Sequence, residues 1–534
     1  MFKRRDPATA AAIAFVLSAP LAFGPNPAKA DEVSDLRVNQ ELLQRRLDQL
    51  AQAPVPGNLF GLGGAPGPRT VQMMGGSFPR SFLVPGTDTS IRVGGEVRAN
   101  AIYYITGGNP NAISTNAGQT GQLNNIPLAG AAASKGHSIF YLTGQQSKLN
   151  FETRTPTAWG EARTFIEFDW AGDPATSQRV HAISSNLSDR LRFAYGTLGG
   201  ILFGQANSNF GDADASVETI SFSGMVGDPG PARLPQLRYT MPLAGWGFPG
   251  ALSVSAEVPE TEIWAPGAGL FGAWTAPGGS TPVFGATAAG TAVIGGVTVA
   301  TPASAGVATN PLKTPAPDLN AAWYIPQPWG HVDFGLMVRP MLQVKDGTFI
   351  DRSFTGFGAQ FSGDVKPRWL GWDRDFITWH VTAGEGIGRG LQSGSGNSMV
   401  GLVSNMAISP STAVSAANTI IKPVRAYGGN VGYRHYWAPN LRSNIGLGFF
   451  HQDVNTLRGA VCSGGSSAAQ VAARNAGTAG CGLAKELINA AVNVIWNPIP
   501  FVDFGVEYMW GHRVTVSNAQ ADENVVLGRM RVQF

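Results

Sequence analysis

The final eleven residues, Asn524 to Phe534, constrain the fold more than any other stretch. They read NVVLGRMRVQF: Val526, Gly528, Met530, Val532 and Phe534 fall on one side of an extended chain, Leu527, Arg529, Arg531 and Gln533 on the other. A strand of about ten residues, apolar at alternate positions and closed by an aromatic ring, has the size and pattern of a bilayer-crossing barrel strand. An edge strand of a soluble sandwich alternates in the same way, so the rest of the chain must decide.

Composition favours the barrel. Only 14% of the 534 residues are charged, 10% are aromatic and 69 are glycine. Past the N-terminus no window holds the roughly 18 consecutive apolar residues of a spanning helix. Apolar content is instead spread thinly over alternating strands, as in a wall between lipid and water. A net charge of +3 is small for this length and gives no reason to expect a nucleic-acid partner.

In chain order, Lys3, Arg4 and Arg5 precede an apolar run from Ala8 to Phe23, and Ala28-Lys29-Ala30 supplies a small-residue cleavage site. Residues 1–30 therefore read as a secretory signal. In residues 31–53, Val33, Leu36, Gln40, Leu43, Leu47 and Leu50 recur at spacings of three and four, the seam of a short periplasmic coiled coil suited to holding three chains together. An amphipathic helix lying on another surface is the alternative. Residues 54–81 are a Gly/Pro-rich linker that cannot build a core. Residues 82–534 read as the barrel.

The first strand, within FLVPGTDTSIRVGGEVRANAIYY from Phe82, sets Val93, Val97, Ala99 and Tyr103 against Arg92, Glu96, Arg98 and Asn100. A charged face cannot look at lipid, so it faces the lumen. The same alternation marks strands near 139–154, 160–170, 190–195, 201–207, 236–241, 251–258, 319–325, 331–344, 354–364, 375–384, 426–437, 441–452, 485–496, 501–513 and 524–534. Short Pro/Gly/Asn turns alternate with long connections. The expected fold is all-β, a 16-stranded antiparallel transmembrane barrel. Trp159, Trp170, Trp323, Tyr324, Trp329, Trp379, Trp437, Trp496 and Trp510 fall near strand ends, as interfacial girdles do.

The PGTDTS turn followed by IRVGGEVRANAIYY, behind a signal peptide and a short coiled coil, resembles the opening of the DcaP-like porins of Gram-negative outer membranes. ILFGQANSNFGD from Ile201 is similar to the lead-in of the family's third long loop, which folds inward. By that resemblance Asp212, Asp214, Glu218 and Asp228 are candidates for the acidic side of a constriction. The resemblance further implies a homotrimer passing small anionic solutes such as dicarboxylates.

Parity places Arg92, Arg98, Lys148, Arg154, Arg163, Arg192, Arg238, Arg339, Arg434, Arg442, Arg513, Arg529 and Arg531 in the lumen. Carboxylates at Glu96, Glu152, Glu161, Glu167, Asp169, Glu257, Asp333, Asp503 and Glu507 share it but are fewer. Guanidinium groups in a pore ease the entry of anions, so a weak anion preference is expected. For any one arginine a wall-stiffening ion pair is as plausible as contact with solute.

The expected function is passive diffusion of small hydrophilic solutes, without catalysis or cofactor, with outer-membrane lipid and lipopolysaccharide as surroundings. A structural or adhesive surface role is the alternative, and a barrel hydrolase ranks below it. The seven histidines are scattered and no Gly-x-Ser-x-Gly elbow is present. Cys462 and Cys481, the only cysteines, lie in one segment and read as a loop-closing disulfide in an exported chain, with two free thiols as the alternative. No metal ligand set stands out. The low-charge stretch 259–317 reads as a lid, a subunit contact or an extra hairpin.

Overall fold

The computed structural model describes residues 75–108, 123, 126–128, 138–172, 189–228, 232–259, 263–265, 269–271, 290–294, 297–301, 312–345, 351–368, 374–391, 401–404, 421–454 and 483–534. The expected signal peptide, the coiled coil, most of the linker, and Cys462 and Cys481 lie outside these residues. Residues 75–83 form a turn of their own, with Gly75 bridged to Phe82 and the Ser81 hydroxyl donating to the Phe78 carbonyl at 2.5 Å.

The remainder is a closed antiparallel barrel of sixteen strands. They are β1 (Ser90–Thr106), β2 (Ile139–Thr143 continued by Lys148–Thr157), β3 (Gly160–Asp169), β4 (Arg190–Leu198), β5 (Ile201–Asn207), β6 (Arg233–Pro242), β7 (Ala251–Glu257) and β8 (Asp318–Gln327). The second half comprises β9 (Gly330–Lys345), β10 (Asp351–Val365), β11 (Phe376–Glu385), β12 (Arg425–Ala438), β13 (Leu441–Gln452), β14 (Ala484–Ile499), β15 (Val502–Thr515) and β16 (Gln520–Gln533). Each strand pairs with the next, and β16 pairs back onto β1 with Val526 opposite Tyr103. Closure satisfies edges that hydrocarbon could not solvate.

The ladder runs on to the last residue. Phe534 and Gly95 exchange backbone hydrogen bonds at 3.1 and 3.2 Å. A Cβ on Gly95 would sit 3.0 Å from the Phe534 ring and 2.3 Å from the Lys148 carbonyl oxygen, so the seam needs glycine here. β2 is broken by a turn at Gly144–Ser147, and the Ser147 hydroxyl fills the gap by accepting the Arg98 amide at 3.0 Å.

Alternation decides which way each side chain points. Val97, Phe203, Leu237, Leu447 and Val506 are exposed on the outer wall, whereas Arg98, Asn100, Glu152, Asp503 and Arg529 are buried within. Exposed rings gather at the short turns: Trp159, Trp246, Trp329, Trp437, Trp496 and Phe501. Within 259–317 an antiparallel hairpin pairs Gly290–Ile294 with Val297–Thr301.

The inner face is not uniformly polar. Leu123, Ile126 and Leu128 pack with Phe210, Val226, Ile387 and Leu391 against Met337, Phe450 and Leu487 of the wall. Ile220 and Met225 pack against Ile102, Ile495, Met509 and Leu527. These inward wall positions therefore meet protein rather than water.

Leu447, 51% exposed near the middle of β13, tests the orientation of the wall. Leu447→Arg is expected to cost about 2–4 kcal/mol of unfolding free energy in lipid vesicles, against under about 1 kcal/mol for Trp437→Arg near the turn. Equal costs in denaturant titrations would contradict the outward assignment.

Candidate functional site

Charge pairs on β1–β4 line one side of the lumen. Glu152 of β2 is bonded by three guanidinium groups: Arg92, Arg154 at 2.8 Å and Arg163 at 2.7 Å. Arg154 also approaches Glu161 at 3.5 Å. One step along the wall, Asp169 takes Arg190 at 2.6 Å and Arg192 at 3.0 Å, and Arg192 reaches Glu167 at 2.7 Å. Across the seam, Asp503 holds Arg529 at 2.8 Å and Arg531 at 2.5 Å, while Glu96 lies 3.5 Å from Arg531 and 3.6 Å from Lys148.

Burial within these clusters is lopsided. The Glu152 and Asp169 side chains are 0% exposed, whereas those of Arg92, Arg154, Arg163 and Arg190 are 26–32% exposed. Glu152 and Asp169 sit behind the guanidinium groups, while the Glu161 side chain beside Arg154 is 50% exposed.

The chain from Ser208 to Asp228 leaves β5 and lies against inward-facing side chains of distant strands. Glu218 is gripped through both oxygens by Arg442, at 2.6 and 2.8 Å, and by Arg434 at 3.0 Å. Burial alone would raise its pKa, but the hydrogen bonds from Arg442 and the Arg434 charge outweigh it and bring the carboxyl down to about 2. Asp212 bonds His331 Nε2 at 2.8 Å and the Ser362 hydroxyl at 3.0 Å. Burial is again opposed and outweighed, by the His331 bond and charge, so the Asp212 carboxyl stays below its ordinary range. His331 also faces Asp364 through Nδ1, so its ring lies between two carboxyl groups.

Backbone groups of the segment are held as well. Glu507 accepts the amides of Ile220 at 2.6 Å and Ser221 at 2.9 Å. Asn489 bonds the Val226 amide at 3.1 Å and the Gly224 carbonyl at 3.2 Å, and Asn493 donates to the Glu218 carbonyl at 2.9 Å. Gly227, at φ +80°, brings its Cα so close to Gly429 and Phe449 that a Cβ would meet their backbone atoms at 2.4 Å.

Residues 80–305 match the family model described as "Porin subfamily", and residues 431–532 match that of "DcaP outer membrane protein". The outer membrane channel DcaP of Acinetobacter baumannii superposes with a TM-score of 0.58 at 22% identity, covering 85% of this chain and 99% of its own. Two porin family models thus match separate parts of the chain, and its barrel shares the fold of the DcaP channel. An anion-selective porin from Comamonas acidovorans gives 0.42 at 8% identity, covering 84% of this chain and 100% of its own. OmpF of Salmonella typhi, solved with daunomycin, gives 0.43 at 10% identity, covering 84% and 98%. No curated protein sequence matches the chain.

The cations singled out by parity separate into two groups, with Arg238 apart from both. Arg92, Lys148, Arg154, Arg163, Arg434, Arg442 and Arg531 are partly exposed and paired as described. Arg98, Arg192, Arg339, Arg513 and Arg529 are buried. Arg98 donates to the Ile220 carbonyl at 2.8 Å, Arg513 to the Ile126 carbonyl at 2.9 Å, and Arg339 to the Gly386 carbonyl at 3.0 Å. These three hold inward-reaching chain. Arg238 bonds Gln236 at 2.9 Å and the Asn207 carbonyl. Asp214 is exposed, and its amide donates to Asp212 at 3.0 Å.

Sequence reasoning passed over Arg190, Phe222, Asn489 and Asn493. Phe222 lies under Arg190 and Arg192, 5.1 and 5.8 Å from ring centroid to guanidinium carbon. Asn489 and Asn493 share inward parity on β14, a signal that was present but reads as ordinary lumenal polarity. Among the described residues no group of three or more His, Cys, Asp or Glu is arranged to hold a metal ion.

The depressed Glu218 pKa fixes the sign of an acid effect. Its contribution to holding the segment is complete above the ordinary value of 4.5 and is lost as pH falls towards about 2. Single-channel current noise is expected to be flat from neutral pH to about 5 and to rise below that. In Glu218→Gln the noise should be raised at neutral pH and should lose its acid-dependent component; an unaltered pH profile would remove Glu218 as the anchor.

Proposed function

We propose that this porin is a passive diffusion channel for small hydrophilic solutes, with a weak preference for anions such as dicarboxylates, working as a homotrimer in the outer membrane among lipid and lipopolysaccharide. The observation that carries the preference is the layering on β1–β4, where buried Glu152 and Asp169 neutralise part of the charge from behind partly exposed arginines. An anion passing this face gains attraction from guanidinium groups more exposed than Glu152 and Asp169, with the exposed Glu161 beside Arg154 keeping the preference weak. Family and fold point to a channel rather than an enzyme. The inward segment, through Asp212, Asp214 and Glu218, supplies the acidic side of the constriction in this reading, although Asp212 and Glu218 are already engaged by wall cations.

Arg154 and Arg163 are the sharpest probes, because both are partly exposed and both lean on Glu152. Reversal potentials in a potassium chloride gradient should show the wild-type barrel favouring chloride. The double variant Arg154→Glu, Arg163→Glu should move the permeability ratio towards potassium by about two- to fivefold per reversed charge, taking ~0.5–1 kcal/mol for a screened contact. A ratio left unchanged would refute the layered-charge account.

A further inference from the structure

Between its two ionic anchors the inward segment crosses a polar patch of the wall. Gln360 of β10 stands opposite Thr382 of β11, and in the neighbouring row Ser362 stands opposite His380, which stands opposite Asn430 of β12. Partners across a ladder lie about 5 Å apart and rows on one face about 7 Å, so these side chains form one group. The segment closes it on two sides. Asp212 accepts the Ser362 hydroxyl at 3.0 Å on one, and on the other the Gly227 Cα lies 3.2 Å from where a Cβ on Gly428 would stand. The Ser216 hydroxyl reaches Asp228 at 3.4 Å and links the two limbs.

The group is buried, and most of it is unpaired. None of the five side chains belongs to a residue more than 6% exposed. Among the described residues, neither ring nitrogen of His380 has a hydrogen-bond partner, nor has either polar atom of the Asn430 amide, the Thr382 hydroxyl or the Gln360 amide oxygen. Leaving all of these atoms dry on one patch is more than a marginally stable fold can carry, so the space above them is occupied. The chemistry of the set identifies the occupant. Amide, hydroxyl and imidazole groups bring donors and acceptors together. A cation satisfies only the acceptors and an anion only the donors. Water satisfies both, and buried water is found where several polar groups converge.

We infer that a closed chamber between the inward segment and β10–β12 holds a cluster of ordered water, and that the stretch from Asp212 to Glu218 spans it as the compliant side of the passage. Asp212 is held by His331 at one end, and Glu218 by Arg434 and Arg442 at the other. Asp214, between them, is exposed. When this stretch shifts, the wall groups beneath it keep their water, so the movement leaves no buried polar atom unpaired. A passage with one yielding side admits solutes of unequal width. The water follows from the wall alone, whereas its consequence for passage rests on the proposed constriction.

High-resolution crystallography of the full chain tests the occupant. Water positions within about 3.2 Å of His380, Asn430 and Thr382 are expected. These side chains rotated onto one another, or protein filling the space, overturn the chamber; an anomalous peak there after soaking in rubidium chloride puts a cation in place of water and overturns it too. Compliance is read in planar bilayers. His380→Leu combined with Asn430→Leu removes the demand for water, and open-channel current noise should fall at least about twofold, the scale of one loosely held water. Thr382→Val, of like shape, should lower the noise in the same direction and stands in if the double variant fails to fold. Unchanged noise in a folded variant overturns the compliance. Reversal potential with Asp214→Arg judges the constriction by itself: no shift removes that reading and leaves the water in place.

Discussion

Every backbone donor and acceptor of the spanning wall must find its partner inside the protein, because hydrocarbon offers none. This one requirement turns a pattern of alternate residues into a cylinder. β16 must return to β1, and it does so along Glu96 to Thr106 and on to the terminal phenylalanine, where Gly95 leaves room for the ring. Once the seam is closed, side-chain direction follows from position alone. Oil-facing and lumen-facing residues are then two consequences of a single register.

Charge inside the cylinder is arranged by depth as much as by sign. A carboxylate buried without a partner would be costly, and Glu152, Asp169 and Asp503 each lie in contact with two or three guanidinium groups. The arginines can carry this because a planar group satisfies a carboxylate with some of its donors and keeps others turned to water. The lumen also holds the protein's own chain. There Glu507, Asn489, Asn493 and Arg98 bond peptide groups of the inward segment, and Glu218 and Asp212 send its charge back into the wall.

Most of the cylinder was legible in the sequence, because a period of two survives any detail of packing. Strands read near 441–452 and 201–207 coincide with β13 and β5, and the ends of most others differ by a few residues. Boundaries slipped where side chains replace the ladder, as at Ser147 in β2. Parity also named Arg98 and Arg163 alike, yet one holds the Ile220 carbonyl and the other is partly open to the lumen. That difference depends on where the inward segment lies. A long-range contact of this kind leaves no periodic trace, and the inward apolar positions Val525 and Leu527 show the same limit.

The short strand β5 and the inward segment have one origin. β5 stops at Asn207 because the chain there turns into the lumen: Asn209 donates its amide to Glu257 at 2.7 Å, and Phe210 packs among Met337 and Ile387. Residues that would have raised the wall on β5 are the ones that pack against inward-facing side chains. The strand next to the turn loses its ladder partner, and Gln205 caps the exposed carbonyls from outside. A chain that turns inward by this route gives up ladder height on one flank, so the short strand and the inward segment are two consequences of the same turn at Asn207.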